Sequence, residues 1–256
     1  MRNLKFTLEY DGTNYRGWQI QASTQSNKRQ THTIQEVIEK DLQRILQEKV
    51  RIIGSGRTDA GVHALAQIAN FKTRSSVSTR KLQQALNSLL PQDIVIKKIE
   101  EVAMDFHSRF QARAKVYRYT ILNRPYRSAL FKDKVYFYPF PLNVALMRRE
   151  ARCLLGRHDF RSFCASGSNA KNTIRAIKKI GIIKSGCSPE NNFLVIEIEA
   201  NGFLYNMVRN IVGTLLEIGR GKLPRGSLKK IMRAKDRRSA GPTAPACGLC
   251  LLEVKY

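Results

Sequence analysis

The sequence predicts an α+β chain of two similar halves, each with a mainly antiparallel sheet and helices on one face. Three observations predict it. Short segments of apolar–polar alternation recur along the chain. Segments with apolar residues at helical spacing lie between them. The order of the two kinds is too irregular for the repeated βα units of a doubly wound parallel sheet. The expected halves are residues 1–104 and 105–256, joined near residues 102–109.

Residues 5–10 alternate Phe6, Leu8 and Tyr10 against Lys5, Thr7 and Glu9, as a half-buried strand does. Asp11-Gly12 is a turn, and residues 22–32 read as a mobile polar loop. Thr33 is placed to cap a helix through Glu48 whose apolar residues are Ile34, Val37, Ile38, Leu42, Ile45 and Leu46. A short strand is expected near residues 50–53, then a loop over 54–61 and a strand over 65–71. A helix is expected over residues 78–89, ended by Pro91, and a strand over 94–101. The second half follows a similar order. Strands are expected over 114–122, 173–183, 193–200 and 249–254, and helices over 144–155, 204–218 and 227–234. Gly219 and Gly221 suit the end of the helix expected from Leu204.

Charge narrows the partner. Lys and Arg number 45 against 20 Asp and Glu, a formal net charge of +25. Solubility is met by far smaller charges, so this excess points to a polyanion such as RNA. Residues 1–6 have no apolar core of a secretory signal, and no apolar run is long enough to span a bilayer. The five cysteines are scattered and odd in number, which fits reduced thiols in a cytosol. Cys247-x-x-Cys250 has no second ligand pair and lies in a run that reads as a strand, so neither zinc nor redox chemistry is expected there.

The most informative segment is Gly54-Ser-Gly-Arg-Thr-Asp-Ala-Gly-Val-His-Ala64. Its glycines permit tight turns around one acid, Asp59, and one fixed cation, Arg57. An Asp beside an Arg stays ionised at neutral pH, and an ionised carboxylate can act as a covalent nucleophile. The same residues also suit a plain turn closed by an Asx hydrogen bond. Neither a P-loop nor a dinucleotide fingerprint is present.

Arg57-Thr-Asp-Ala-Gly-Val-His63 resembles the active-site motif of the tRNA pseudouridine synthase A family. Further blocks resemble that family in order along the chain: Tyr10-Asp-Gly-Thr-Asn-Tyr15, Gly17-Trp-Gln19, Ala85-Leu-Asn87, Leu90-Pro-Gln-Asp-Ile94 and Phe106-His-Ser-Arg109. Lys115-Val-Tyr-Arg-Tyr119, Gly156-Arg-His-Asp-Phe160, Ser162-Phe163, the glycine-bounded run from Gly202 to Gly213, and Thr243-Ala-Pro245 complete the set.

The resemblance implies an enzyme that isomerises uridine to pseudouridine at positions 38, 39 and 40 of the tRNA anticodon stem-loop. It implies a cytoplasmic homodimer with no metal and no organic cofactor, and an active-site cleft between the halves. Asp59 would be the nucleophile, attacking either C6 of the base or C1′ of the ribose. Tyr117 matches the tyrosine that packs on the flipped-out uridine. Read alone, Tyr117 is more readily a core aromatic of a strand, with Tyr119 on its face and Arg118 on the other. Arg209 is the only charge between Phe203 and Leu216. It reads as a snorkelling surface arginine or as a buried partner of Asp59. Arg57 suits the same carboxylate or a phosphate. His63 and His107 are expected to make structural hydrogen bonds, and Arg109, Arg113, Lys115, Arg118, Lys178 and Lys179 to be candidate phosphate contacts.

Overall fold

The protein is described in a computed structural model that covers residues 1–20, 32–168, 170, 172–186 and 192–256. The polar loop expected over residues 22–32 lies outside these described residues, His32 apart. In chain order the elements are β1 (Arg2–Tyr10), α1 (Ile34–Leu46), β2 (Ile53–Gly54), β3 (His63–Thr73), α2 (Thr79–Leu89), β4 (Ile94–Val102) and β5 (Ala114–Leu122). There follow β6 (Tyr136–Phe137), α3 (Val144–Ala151), β7 (Gly156–Asp159), β8 (Ile174–Ser185), β9 (Phe193–Ala200), α4 (Met207–Gly219), α5 (Ser227–Ala234) and β10 (Leu249–Lys255). Two compact units result, residues 1–113 with 250–256, and residues 114–249. The sheets are mainly antiparallel, as an α+β chain requires. Among the described residues no helix is long and apolar enough to cross a membrane.

In the first unit β1 is central, antiparallel to β3 on one side and to β4 on the other. Its Leu4, Phe6 and Leu8 are fully buried, while Lys5, Thr7 and Glu9 are half-exposed, so the alternation in the sequence marks one wet and one dry face. The far edge of β3 is shared. Start residues His63 and Ala64 pair in parallel with Cys250 and Leu251, and Asn70 and Ala69 pair with Ile53 and Gly54 of β2. Thr33 caps α1 in a reciprocal box with Glu36, as its position ahead of the apolar period predicts.

The strand expected over residues 50–53 is reduced to Ile53–Gly54. The reason is a competing set of partners. Ile52 N donates to Glu39 Oε1 (2.8 Å) and Ile52 O accepts from Gln35 Nε2 (3.2 Å), so helix side chains take the groups that a ladder would use.

In the second unit β9 is antiparallel to β5 and to β8, β7 extends β8, and β6 adds in parallel to β5. The helix expected from Leu204 starts at Met207, because Asn206 adopts a left-handed backbone (φ 57°) that helical residues do not share. The helix expected over 144–155 ends at Ala151, and one 3₁₀ turn over Arg152–Leu154 leads to Gly156 at φ 94°. Buried Glu150 accepts from Gly226 N (2.8 Å) and Leu228 N (3.3 Å), supplying a carboxylate to the otherwise open N-terminus of α5.

Helix α4 is buried almost all round, and the segment that follows α5 is zipped against it. A side chain at Gly213 would stand 1.7 Å from Pro242 O, so backbone lies on backbone there. Asn210, fully buried, donates to Phe163 O (2.8 Å) and accepts from Thr243 Oγ1 (2.6 Å) and Arg237 Nη2 (3.0 Å). Every polar atom of that side chain therefore has a partner, the condition for burying an amide without loss.

Candidate active site

The loop over residues 55–62 carries Arg57 and Asp59, between the ends of β2 and β3. Asp59 is half-buried and Arg57 exposed. Val62 N donates to Asp59 O (3.1 Å) across a turn whose third residue, Gly61, has φ 76°. That value is why glycine stands there.

The N-terminal motifs hold this loop from the other side. Trp18 N donates to Thr58 O (3.0 Å). Gly17 (φ 92°) lies so close that a side chain there would come within 2.4 Å of Thr58 O and 3.0 Å of the Asp59 carbonyl carbon. A side chain at Gly12 would stand 2.0 Å from Val62 O. The Trp18 indole fills the space beside Gly54.

Beneath the loop lies a buried polar chain. Tyr10 OH is 2.8 Å from Thr58 Oγ1, Gln67 Nε2 donates to Gly56 O (3.0 Å), and Ser55 Oγ donates to Gln67 Oε1 (2.6 Å). Burial pushes the Tyr10 phenol well above the usual tyrosine range, so it stays protonated. Sequence reasoning missed Ser55, Thr58 and Gln67. Both faces of β3 are buried from Gln67 to Phe71, so alternation does not single out Gln67.

The two histidines are tied into structure. His63 Nδ1 lies 2.9 Å from Asp11 Oδ1 and 3.2 Å from Gly12 N. Both contacts tie the ring to the Asp11-Gly12 turn. His107 Nδ1 accepts from Arg109 N (3.2 Å) and Phe110 N (3.3 Å), closing the turn that carries Ser108. Ser108 Oγ in turn donates to Ile53 O (2.5 Å).

The second unit holds the other two candidates. Tyr117 on β5 is 8 % exposed, and its ring meets Phe203 edge-on at 5.1 Å. Tyr119, two residues on and wholly buried, donates to Pro245 O (2.7 Å), whereas Arg118 turns to the other face and pairs with Glu197. Arg209 on α4 is half-buried. Its Nε donates to Ala244 O (2.7 Å) and its Nη1 to Asn206 Oδ1 (2.7 Å), which fixes the plane of the guanidinium. Its side chain is thus held in place, not extended freely toward water as a snorkelling arginine would be.

A model of the tRNA pseudouridine synthase family matches residues 7–111 and 151–256. The chain belongs to the tRNA pseudouridine synthase family. It is 48 % identical to tRNA pseudouridine synthase A of Clostridium acetobutylicum, 47 % to that of Caldicellulosiruptor bescii and 45 % to that of Thermoanaerobacter sp. strain X514, each over the whole of both chains. The family is one of isomerases. Arg57, Asp59 and Arg209 fall inside the segments matched by the family model, whereas Tyr117 falls between them. Within the first unit, two of the other blocks that carry the resemblance meet this loop and its flanking strand. Residues 12–18 pack on the loop, and Ser108 anchors the strand that leads into it.

Proposed function

We propose that the chain isomerises uridine to pseudouridine at positions 38, 39 and 40 of the tRNA anticodon stem-loop, acting in the cytoplasm as a homodimer. Asp59 is the nucleophile. The observation that carries this reading is the support given to its loop: neighbouring backbone and buried side chains hold Asp59 on both flanks, and its residue is only half-buried. A backbone held in this way gives the Asp59 side chain a fixed base, with less orientation to lose on meeting a substrate. The two units are the working parts, the first supplying the nucleophile and the second the base-stacking tyrosine and a basic partner.

The chemistry needs nothing beyond the protein and the RNA. The N1–C1′ bond breaks, a C5–C1′ bond forms, C5 loses a proton and N1 gains one. Atoms and electrons balance without a metal, an oxidant or a cofactor. Asp59 attacks C6 or C1′ and leaves at the end of the cycle. A base in a stem is reached only after it is flipped out, and the Tyr117 ring offers the flat partner it then needs. Arg209 holds the carboxylate or the substrate with its fixed guanidinium, and exposed Arg57 meets a phosphate or the same carboxylate.

Asp59→Asn keeps the size and most hydrogen bonds of the side chain and removes the nucleophile. It is expected to bind tRNA as the wild type does and to form no pseudouridine when bulk tRNA is mapped for the modified base. Wild-type rates in that variant would remove Asp59 from the mechanism. No new sites in anticodon stem-loops with the wild type would favour a non-catalytic RNA-binding protein instead.

A further inference from the structure

Strands β7 and β8, with the residues that follow β9, line a cavity of about 280 Å³ formed by Arg157, Asn172, Ile174, Arg175, Ala176 and Asn201. Its polar groups are one-sided. Asn201 Oδ1 accepts from Ala176 N (2.9 Å) and Asn172 Oδ1 accepts from Ile174 N (2.8 Å). Both amide oxygens are thus occupied, and among the described residues each side chain has its Nδ2 donors left over. Arg175 Nη1 donates to Asn172 O (3.0 Å) and Ile174 O (2.7 Å), which pins the guanidinium plane and leaves Nε and Nη2 as donors. Arg157, opposite Ala176 in the β7–β8 ladder, is exposed and adds a second guanidinium.

Among the described residues no carboxylate lines the cavity. Asp159, on the same strand as Arg157, is engaged by Thr173 Oγ1 (2.6 Å), Arg161 N (3.0 Å) and Lys235 (3.9 Å). Two guanidinium groups and two amide donors without an acid make a site for an oxyanion, and a pinned arginine fork suits the geometry of phosphate. Ile174, 40 % exposed at the wall, gives apolar surface for a sugar. Asn201 is also two residues from Phe203, whose ring touches Tyr117.

We propose that this cavity is a phosphate subsite that grips a backbone phosphodiester of the RNA within a few nucleotides of the base stacked on Tyr117. The inference rests on the RNA reading above. It adds residues to that reading that neither the nucleophile loop nor the basic composition identifies.

The test uses the full-length protein and tRNA, with the dissociation constant measured over about 50–200 mM NaCl. Each phosphate contact contributes roughly 0.7–0.9 to the slope of log K against log salt. Arg157→Gln removes no side-chain hydrogen bond among the described residues, and is expected to weaken binding about tenfold at the low-salt end and to lower the slope by about one contact. Arg157→Gln with Arg175→Gln is expected to lose more, with the damage to turnover falling on KM more than on kcat. Arg175→Lys should restore part of the affinity.

Inorganic phosphate serves as the second probe. If it binds the wild type and is lost in the double variant while tRNA affinity and slope stay unchanged, the cavity holds a free anion and the RNA assignment is overturned. A folded double variant that binds both probes as the wild type does also overturns it. Pseudouridine formation by the wild type is scored in the same preparations. Protein that binds RNA through the cavity but makes no product would keep the subsite and remove the catalytic reading.

Discussion

Tyr117 presents an edge contact to Phe203 and little surface to water, so its replacement separates two roles for one ring. Base–aromatic stacking is worth about 1–3 kcal/mol, roughly fivefold to 150-fold in kcat/KM. Tyr117→Phe is expected to keep most of the activity, and Tyr117→Ala to lose that amount, with melting curves taken to exclude unfolding. Equal losses would transfer the role to the hydroxyl. At this scale the sequence was legible where chemistry is local. Asp59 and Arg57 could be named because glycines, an acid and a cation lie within a few residues. Arg209 could be singled out as a lone charge in an apolar run, but not its hold on Asn206 and Ala244, since Ala244 arrives from 35 residues away. Gln67 was passed over because a buried amide is visible only once its partners Ser55 and Gly56 are in place.

Elements were readable wherever one face is dry. β1, α1, α2, β4, β5 and β9 fall close to where periodicity puts them, because each alternates or cycles between core and solvent. β6 and β7, of two and four residues, are too short to show a period, and residues 50–52 are diverted by Gln35 and Glu39 of α1. Helix α4 gives the sharpest test of packing. Gly→Ala in a helix interior ordinarily stabilises by about 1 kcal/mol through propensity. At Gly213 the new methyl would meet Pro242 O at 1.7 Å, and overpacking of that kind costs about 1–3 kcal/mol or more. The clash wins, so Gly213→Ala is expected to lower the melting temperature by several degrees, about 2–4 °C for each net kcal/mol lost. A rise in melting temperature would mean that residues 240–244 do not lie against α4.

The molecule as a whole carries +25 charges, and its behaviour toward RNA should be dominated by them. Raising NaCl from about 50 to 200 mM is expected to weaken tRNA binding by roughly a hundredfold or more, with kcat at saturating RNA nearly constant. An affinity flat in salt would mean that the excess charge faces something other than phosphate. The two-part α+β build could be anticipated from the order of elements. The affiliation of β10 could not, since alternation announces a strand without saying which edge it joins. Residues 250 and 251 pair with His63 and Ala64, Lys255 O accepts from Arg113 N (2.7 Å), and Tyr256 OH donates to Ser108 O (2.7 Å). This closure has a cost in time. On the ribosome, residues 1–113 emerge well before residues 250–256, and until the last strand is made the β3 edge beside His63 is an unpaired template for a neighbouring chain. The contact joins residues 187 positions apart, so it forms late and slowly. The nascent first unit is therefore the stage most exposed to aggregation and to chaperone capture.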